Sequence, residues 1–374
     1  MQPTAIFSSW HGRYSDSPRA ISRELRRVRP EVRQVWLLAD DAAQPPEYVE
    51  RVARGTAEEL SELEAAEWIV SNDVLPMDFE KRPGAAYMQT WHGTPLKRIG
   101  FDVRNATFPG AEHHYAVELG RDVARWDMLL SPNPASSEIL RAAFRFGGPV
   151  LELGLPRNDA LLAAGREHRR QAVRDQLGLG PGTLAVLYAP TWRDDFQMTL
   201  ELDLEAVHGG LSESAVVLVR AHGLTAARSE IATTPGSRDV TRWADVADLY
   251  LAADVLLTDY SSAMVDFAIT GKPQLFYTYD LEDYRDRLRG FYVDFERVVP
   301  GPLLTTTQDV IEALRNLDEV SRAHRPAYRR FVERYCPLDD GLAGKRAVRA
   351  LLGRDANDAS VASPSSVSGR GAAA

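Results

Sequence analysis

The stretch ADVLLTDYSSAMVDFAITGKPQLFYTYD, Ala253 to Asp280, contains one complete strand-helix-strand unit. Val255–Thr258 is a short apolar run and reads as a buried strand. It passes into Asp259-Tyr260-Ser261-Ser262, after which apolar residues take up helical spacing from Ser262 or Ala263. Gly271-Lys272-Pro273 stops that helix, and Gln274–Tyr277 reads as the next strand. Tight connections of this kind make a parallel pair with a right-handed crossover. The turn carries chemistry as well. Two serines beside the free N–H groups of a helix start, where the dipole adds positive potential, suit an anion such as a phosphate. Ordinary N-capping by Ser261 or Ser262 explains the same residues and is compatible with anion binding. Asp266 falls one turn further along the same face, where a carboxylate would meet a ribose diol; read structurally, it is a surface residue.

The same alternation extends outward in both directions. Strands are expected near Thr4–Ser9, Val35–Ala39, Trp68–Ser71, Ala86–Thr90, Asp127–Ser131 and Val150–Leu153, with amphipathic segments at Pro18–Val28, Pro46–Arg54 and Ala135–Phe144. After GLPRNDALL (Gly154–Leu162) the pattern restarts. A charged helix over Arg166–Leu177 leads to the breaker cluster GLGPG, and strands are expected at Leu184–Ala189, Val216–Arg220, Asp239–Thr241, Val255–Thr258 and Gln274–Tyr277. The simplest fold is α/β: two Rossmann-type, doubly wound parallel-sheet domains facing a central cleft lined by strand-end loops. The expected boundaries are 1–156, 157–335, a helical closure over 336–353 and a small, polar, low-complexity tail over 354–374 that reads as disordered.

Composition narrows the class. The 374 residues suit two domains rather than one core, and 44% apolar with 26% charged residues is ordinary for a soluble protein. No apolar run approaches the roughly 18 residues of a membrane span, and the first dozen residues lack the basic and apolar regions of a secretory signal. A cytoplasmic location is expected. Cys336 is the only cysteine, which excludes an internal disulfide and a cysteine-based zinc cluster. A net charge of −9 argues against a nucleic-acid partner. No Asp-x-Asp pair stands at a strand end; Arg193 to Asp195 (RDD) and Leu338 to Asp340 (LDD) are weak substitutes, so no obligatory metal or other cofactor is expected.

Candidate site residues cluster at strand ends. LAVLYAPTWRDD places Thr191, Trp192 and Arg193 past one strand, and VVLVRAHG places Arg220 and His222 past the next. A guanidinium and an imidazole facing one cleft can neutralise a leaving phosphate; a surface pair of Arg193 with Asp194 or Asp195 is the plainer reading. Trp-His-Gly occurs twice, at Trp10 and at Trp91. His92 follows an expected strand, and Gly93-Thr94-Pro95 turns sharply enough to hold an imidazole at the cleft edge, where it can take a proton from a hydroxyl near neutral pH. Lys97 and Arg98, one turn on, suit an anionic co-substrate, with Thr94 beside them. His11 reads as mainly structural, while Arg13 and Asp16 in the same loop are candidate acceptor contacts, Asp16 and Ser17 also capping a helix with Pro18 in its first turn. The basic stretch Arg19–Arg33 reads as a solvated helix face in preference to a membrane-binding one.

QTWHGTPLKRIGFD, GLPRND, YAPTWRDD, VRAH and LLTDYSSAMVDFAITGKPQLFYTYDLEDYRDRLRGFYVDF occur in that order, and with them the chain resembles the CDP-glycerol glycerophosphotransferase family, the teichoic-acid primases and polymerases. GRYSDSPRAI is similar too. The resemblance implies a GT-B-like fold, with CDP-glycerol bound by the second domain and a lipid-linked polyol-phosphate or saccharide acceptor on the first. It implies His92 as general base and His222, Arg193, Thr258, Ser261 and Ser262 at the pyrophosphate; Thr191, Asp259 and Asp266 are candidate donor contacts from the residues themselves. It also implies peripheral contact with the inner membrane face. CDP-ribitol as donor, a nucleotide-sugar glycosyltransferase on the same fold and a non-catalytic binding scaffold are the alternatives.

Overall fold

The computed structural model describes residues 2–10, 12–103, 115–191, 200–211, 214–221, 234–288 and 290–353. The first sheet is built from β1 (Thr4–Ser8), β2 (Arg33–Leu38), β3 (Val49–Ala53), β4 (Trp68–Ser71), β5 (Ala86–Gln89), β6 (Met128–Ser131) and β7 (Val150–Glu152). Its strand order is β3-β2-β1-β4-β5-β6-β7, parallel throughout. The second contains β8 (Leu184–Ala189), β9 (Ala215–Val219), β10 (Ser237–Asp239), β11 (Val255–Thr258), β12 (Gln274–Tyr277) and β13 (Leu303–Leu304), in the order β10-β9-β8-β11-β12-β13 and again parallel. Both sheets reverse winding beside their first strand, at β1/β4 and at β8/β11, and crevices for ligands open at such points.

The helices that position the site are α1 (Asp16–Val28), α2 (Pro134–Phe144), α3 (Arg166–Gln176), α4 (Val246–Ala252), α5 (Ala263–Ala268), α6 (Leu317–Tyr335) and α7 (Ala343–Leu351). Central strands such as β11 are buried along their whole length, as sheets covered on both faces require. The first sheet packs one face around Leu37, Tyr87, Leu129 and Phe144 and the other around Phe7, Trp36, Ile21 and Leu25. A fifth cluster joins the two halves: Leu96 packs with Tyr260, Met264 and Phe331.

One expectation fails and one element was missed. Pro46–Arg54 contains β3 rather than a helix: Val49 and Val52 are buried, their i, i+3 spacing mimicking a helical face, but the segment is an edge strand paired with β2. The two-residue strand β13 was too short to stand out from its surroundings.

The chain passes between the halves twice. The short helical turn Pro156–Asn158 leads out of the first sheet, and α7 returns to it, seating Ala347, Val348 and Leu351 against Phe7 and Ile21. The two passages touch. Arg346 donates to the Leu153 carbonyl at 3.0 Å and to that of Leu338 at 2.6 Å, and Asp159 accepts the N–H groups of Ala343 and Gly344 that open α7.

Candidate active site between the two sheets

The two Trp-His-Gly copies end β1 and β5, which flank β4 in the sheet. Both tryptophans take left-handed backbone, φ 38° at Trp10 and 49° at Trp91, a conformation costing on the order of 1–3 kcal/mol in a non-glycine residue. Side-chain acceptors hold the strained N–H groups: Trp10 N–H donates to Asn72 Oδ1 at 3.1 Å and Trp91 N–H to Gln89 Oε1 at 2.9 Å. As a result both indoles meet the half-buried ring of His92, with centroids 4.5 Å from Trp10 and 4.1 Å from Trp91. Trp91 is backed in turn by Phe144. His11 lies outside the described residues.

Gly93 brings this loop against the other sheet. A Cβ built there would lie 2.7 Å from Ser262 Oγ, so a side chain at this position would make Ser262 shift. Ser261 Oγ accepts the Ala263 N–H at 3.2 Å, which is the capping role, whereas the Ser262 side chain caps nothing. Asp259 is buried and accepts the N–H groups of Thr191 (2.8 Å) and Tyr260 (2.6 Å), so the ends of β8 and β11 are locked together at the switch point. Thr258 is fully buried and its hydroxyl donates to the Ala189 carbonyl at 2.6 Å, which makes it a strand fastener rather than a ligand contact.

Asp266 and Asp16 change meaning most. Asp266 is buried rather than a surface residue, the Asp16 side chain is only 8% exposed, and the two share one guanidinium that was read only as part of the GLPRND motif. Arg157 Nη2 donates to Asp266 Oδ2 at 2.7 Å, and Nη1 donates to Asp16 Oδ2 at 2.9 Å and to the His92 carbonyl at 2.8 Å. Asn158 completes the Asp266 shell at 3.1 Å, and the Trp10 indole N–H donates to Asp16 at 2.8 Å. Burial pushes Asp16 upward, but Arg157, the Ser17 N–H, Trp10 and the nearby His92 outweigh it and hold the carboxyl below its ordinary range. Burial wins at Asp266, which is raised despite Arg157, with Asp16 adding to the rise. The α1 cap also differs: the helix opens at Asp16 itself, and Ser15 at the cap position makes no capping bond, its hydroxyl pairing instead with that of Ser9 at 3.3 Å.

The remaining candidates scatter. Thr94 is buried, with its hydroxyl unpaired among the described residues. Lys97 pairs through its backbone with Phe291, and Arg98 N–H donates to the Gly290 carbonyl, so this segment is a crossing between the halves. Arg13 is well exposed and makes a loose pair with Asp41 at 3.6 Å. Arg220 donates to the carbonyls of Val240 and Trp243. The LDD carboxylates diverge: Asp339 is half-buried beside Asn158, whereas Asp340 pairs with Arg346. Lys272 of the Gly-Lys-Pro turn donates to the Tyr250, Leu251 and Ala253 carbonyls at the end of α4. His222, Arg193, Trp192, Asp194 and Asp195 lie outside the described residues.

Two parallel α/β domains with a cleft between their switch points define a GT-B-like protein. A family model described as CDP-glycerol:poly(glycerophosphate) glycerophosphotransferase matches residues 2–353, and the chain belongs to that family. It is 34% identical over 364 residues to the teichoic acid glycerol-phosphate transferase of Staphylococcus aureus (strain NCTC 8325 / PS 47), covering 92% of each. It is 35% identical over 361 residues to the teichoic acid poly(glycerol phosphate) polymerase of Bacillus subtilis (strain 168), covering 93% of this chain and 48% of the polymerase. The chain thus spans about half the length of that relative. Among solved structures, the wall teichoic acid polymerase TagF soaked with CDPG superposes with a TM-score of 0.87 at 34% identity, covering 95% of this chain and 89% of the other. S. aureus MnaA with UDP, at 13% identity and a TM-score of 0.53, shares the fold alone.

Proposed function

We propose that the chain transfers glycerol phosphate from CDP-glycerol to a hydroxyl of a polyol-phosphate or saccharide acceptor in teichoic acid synthesis. The observation that carries this reading is the placement of His92, held between two indoles with its loop pressed against Ser262 across the cleft. The acceptor oxygen attacks the β-phosphorus, which bears the glycerol. The bond from that phosphorus to the bridging oxygen breaks, CMP leaves, and His92 accepts the hydroxyl proton. Phosphoryl transfer needs positioning and charge stabilisation more than covalent help. Ser262 and the backbone at the β8/β11 switch point stand where phosphates would lie; His222 and Arg193 are assigned there by motif position.

Residues 1–156 would carry the acceptor and residues 157–335 the donor, in a protein acting at the cytoplasmic face of the membrane. Among the described residues no helix is long and apolar enough to cross a membrane, so membrane contact would be peripheral. The test is incubation with CDP-glycerol or CDP-ribitol and a lipid-linked acceptor while CMP is measured. Acceptor-dependent CMP release from CDP-glycerol supports the reading. A clear preference for CDP-ribitol overturns the donor, and CMP from neither overturns the activity.

A further inference from the structure

We propose that Arg157 is a positioning residue for the transfer: it fixes His92 relative to the donor side by tying the His92 main chain to a carboxylate from each half of the molecule. This rests on the reading of His92 as the base. Arg157 stands in the passage between the sheets, in the short turn that follows β7. Its side chain is 11% exposed, and those of Asp16 and Asp266 are 8% and 4% exposed. Asp16 belongs to α1 of the first half and Asp266 to α5 of the second.

The guanidinium reaches His92 by two routes. One is direct, from Nη1 to the His92 carbonyl at 2.8 Å. The other runs through Asp16 Oδ2, which accepts from Arg157 and from the indole N–H of Trp10, whose ring lies 4.5 Å from that of His92. From the opposite amino group, Nη2 grips Asp266, one turn along the helix that starts beside Ser262, the residue against which Gly93 is pressed. One planar fork therefore sets three coordinates at once: the backbone of the base, the indole on its face and the helix behind the anion side. An ion pair serving the fold alone has no need to reach the base's own carbonyl. Lysine, a single point donor, cannot reproduce the fork.

The experiment uses the full chain with Arg157→Lys, His92→Ala, the double variant, and the charge-neutral triple Asp16→Asn/Arg157→Met/Asp266→Asn, in which no buried charge is left unpaired. CMP release gives kcat and the KM for CDP-glycerol, and tryptophan emission is followed against pH. For Arg157→Lys, kcat is expected to fall ~10- to 100-fold with KM within about twofold, since small displacements of a base are costly. The loss should vanish in the His92→Ala background, because both changes remove one function. The pH-dependent quenching of Trp10 and Trp91 by the protonated imidazole, identified by its absence in His92→Gln, should shrink in Arg157→Lys and in the triple variant. An equal loss of kcat in the His92→Ala background overturns the proposal, as does a triple variant with wild-type kcat and quenching. If His92→Ala itself transfers at the wild-type rate, the base reading fails, and the quenching measurement still decides whether Arg157 positions the ring.

Discussion

The two sheets share the order of their first six strands and one switch-point location, the first sheet adding a seventh strand, yet they finish their switch points with opposite materials. In the first, the ends of β1 and β5 are closed by indoles, a strained backbone and a buried guanidinium around a single imidazole. In the second, the ends of β8 and β11 are closed by small hydroxyl residues and a carboxylate, Asp259, that holds backbone N–H groups in place. A proton acceptor must keep its angle, which bulky neighbours enforce. A phosphate needs space and donors, which serine and open backbone supply. Topology therefore sets where a site forms, and the residue volumes at strand ends set which half of a reaction it takes.

The contrast breaks most directly at His92. His92→Ala is expected to lower the rate of CMP release by about 10²–10⁴-fold while thermal unfolding stays close to wild type; a rate within threefold would remove the acid-base role from the first half. Gly93→Ala tests whether the halves meet as closely as drawn. With a Cβ 2.7 Å from Ser262 Oγ, one side must move, and a loss of roughly 10- to 100-fold in kcat/KM is expected from such a shift. A Gly93→Ala variant with wild-type kcat/KM would mean that the contact is unimportant. Asp259→Asn probes the second half. The amide keeps one acceptor for the Thr191 and Tyr260 N–H groups but loses the charge, so KM for the donor should rise about three- to tenfold with kcat little changed.

The smallest effect concerns the ground that both regions share. Burial, reinforced by the charge of Asp266, pushes Asp339 up to about 7. A carboxyl raised in the folded state binds its proton more tightly there than in the unfolded chain. Its contribution is therefore complete below pH 4 and is lost as pH rises through about 7. Asp339→Asn should flatten the decline in stability between pH 5 and pH 8 by on the order of 1 kcal/mol, read by denaturant unfolding at both values. An unchanged slope would show that Asp339 is ionised in the fold across this range.

Much of this was legible because parallel strands buried on both faces are written as short apolar runs. Trp68–Ser71, Leu184–Ala189, Val255–Thr258 and Gln274–Tyr277 fall where the sequence puts them. The serines at the start of α5 and the position of His92 at a strand end were equally readable, since turn residues and helix starts are local signals. What was hidden is long-range. Arg157 lies 141 residues from Asp16 and 109 from Asp266, and no periodicity links them, so the acid read as a ribose contact proved to be committed elsewhere. One signal was available: the repeated Trp-His-Gly at the ends of two strands that flank a third, which puts two indoles near one histidine.

The return of α7 to the first sheet has a mechanical consequence. A single connecting segment would leave the two halves free to swivel as well as to open. Here two segments lie side by side, riveted by Arg346 to the Leu153 and Leu338 carbonyls and by Asp159 to the start of α7. Paired straps of this kind resist torsion of one half against the other, and with the Arg157 fork between Asp16 and Asp266 they keep His92 and Ser262 at matching height.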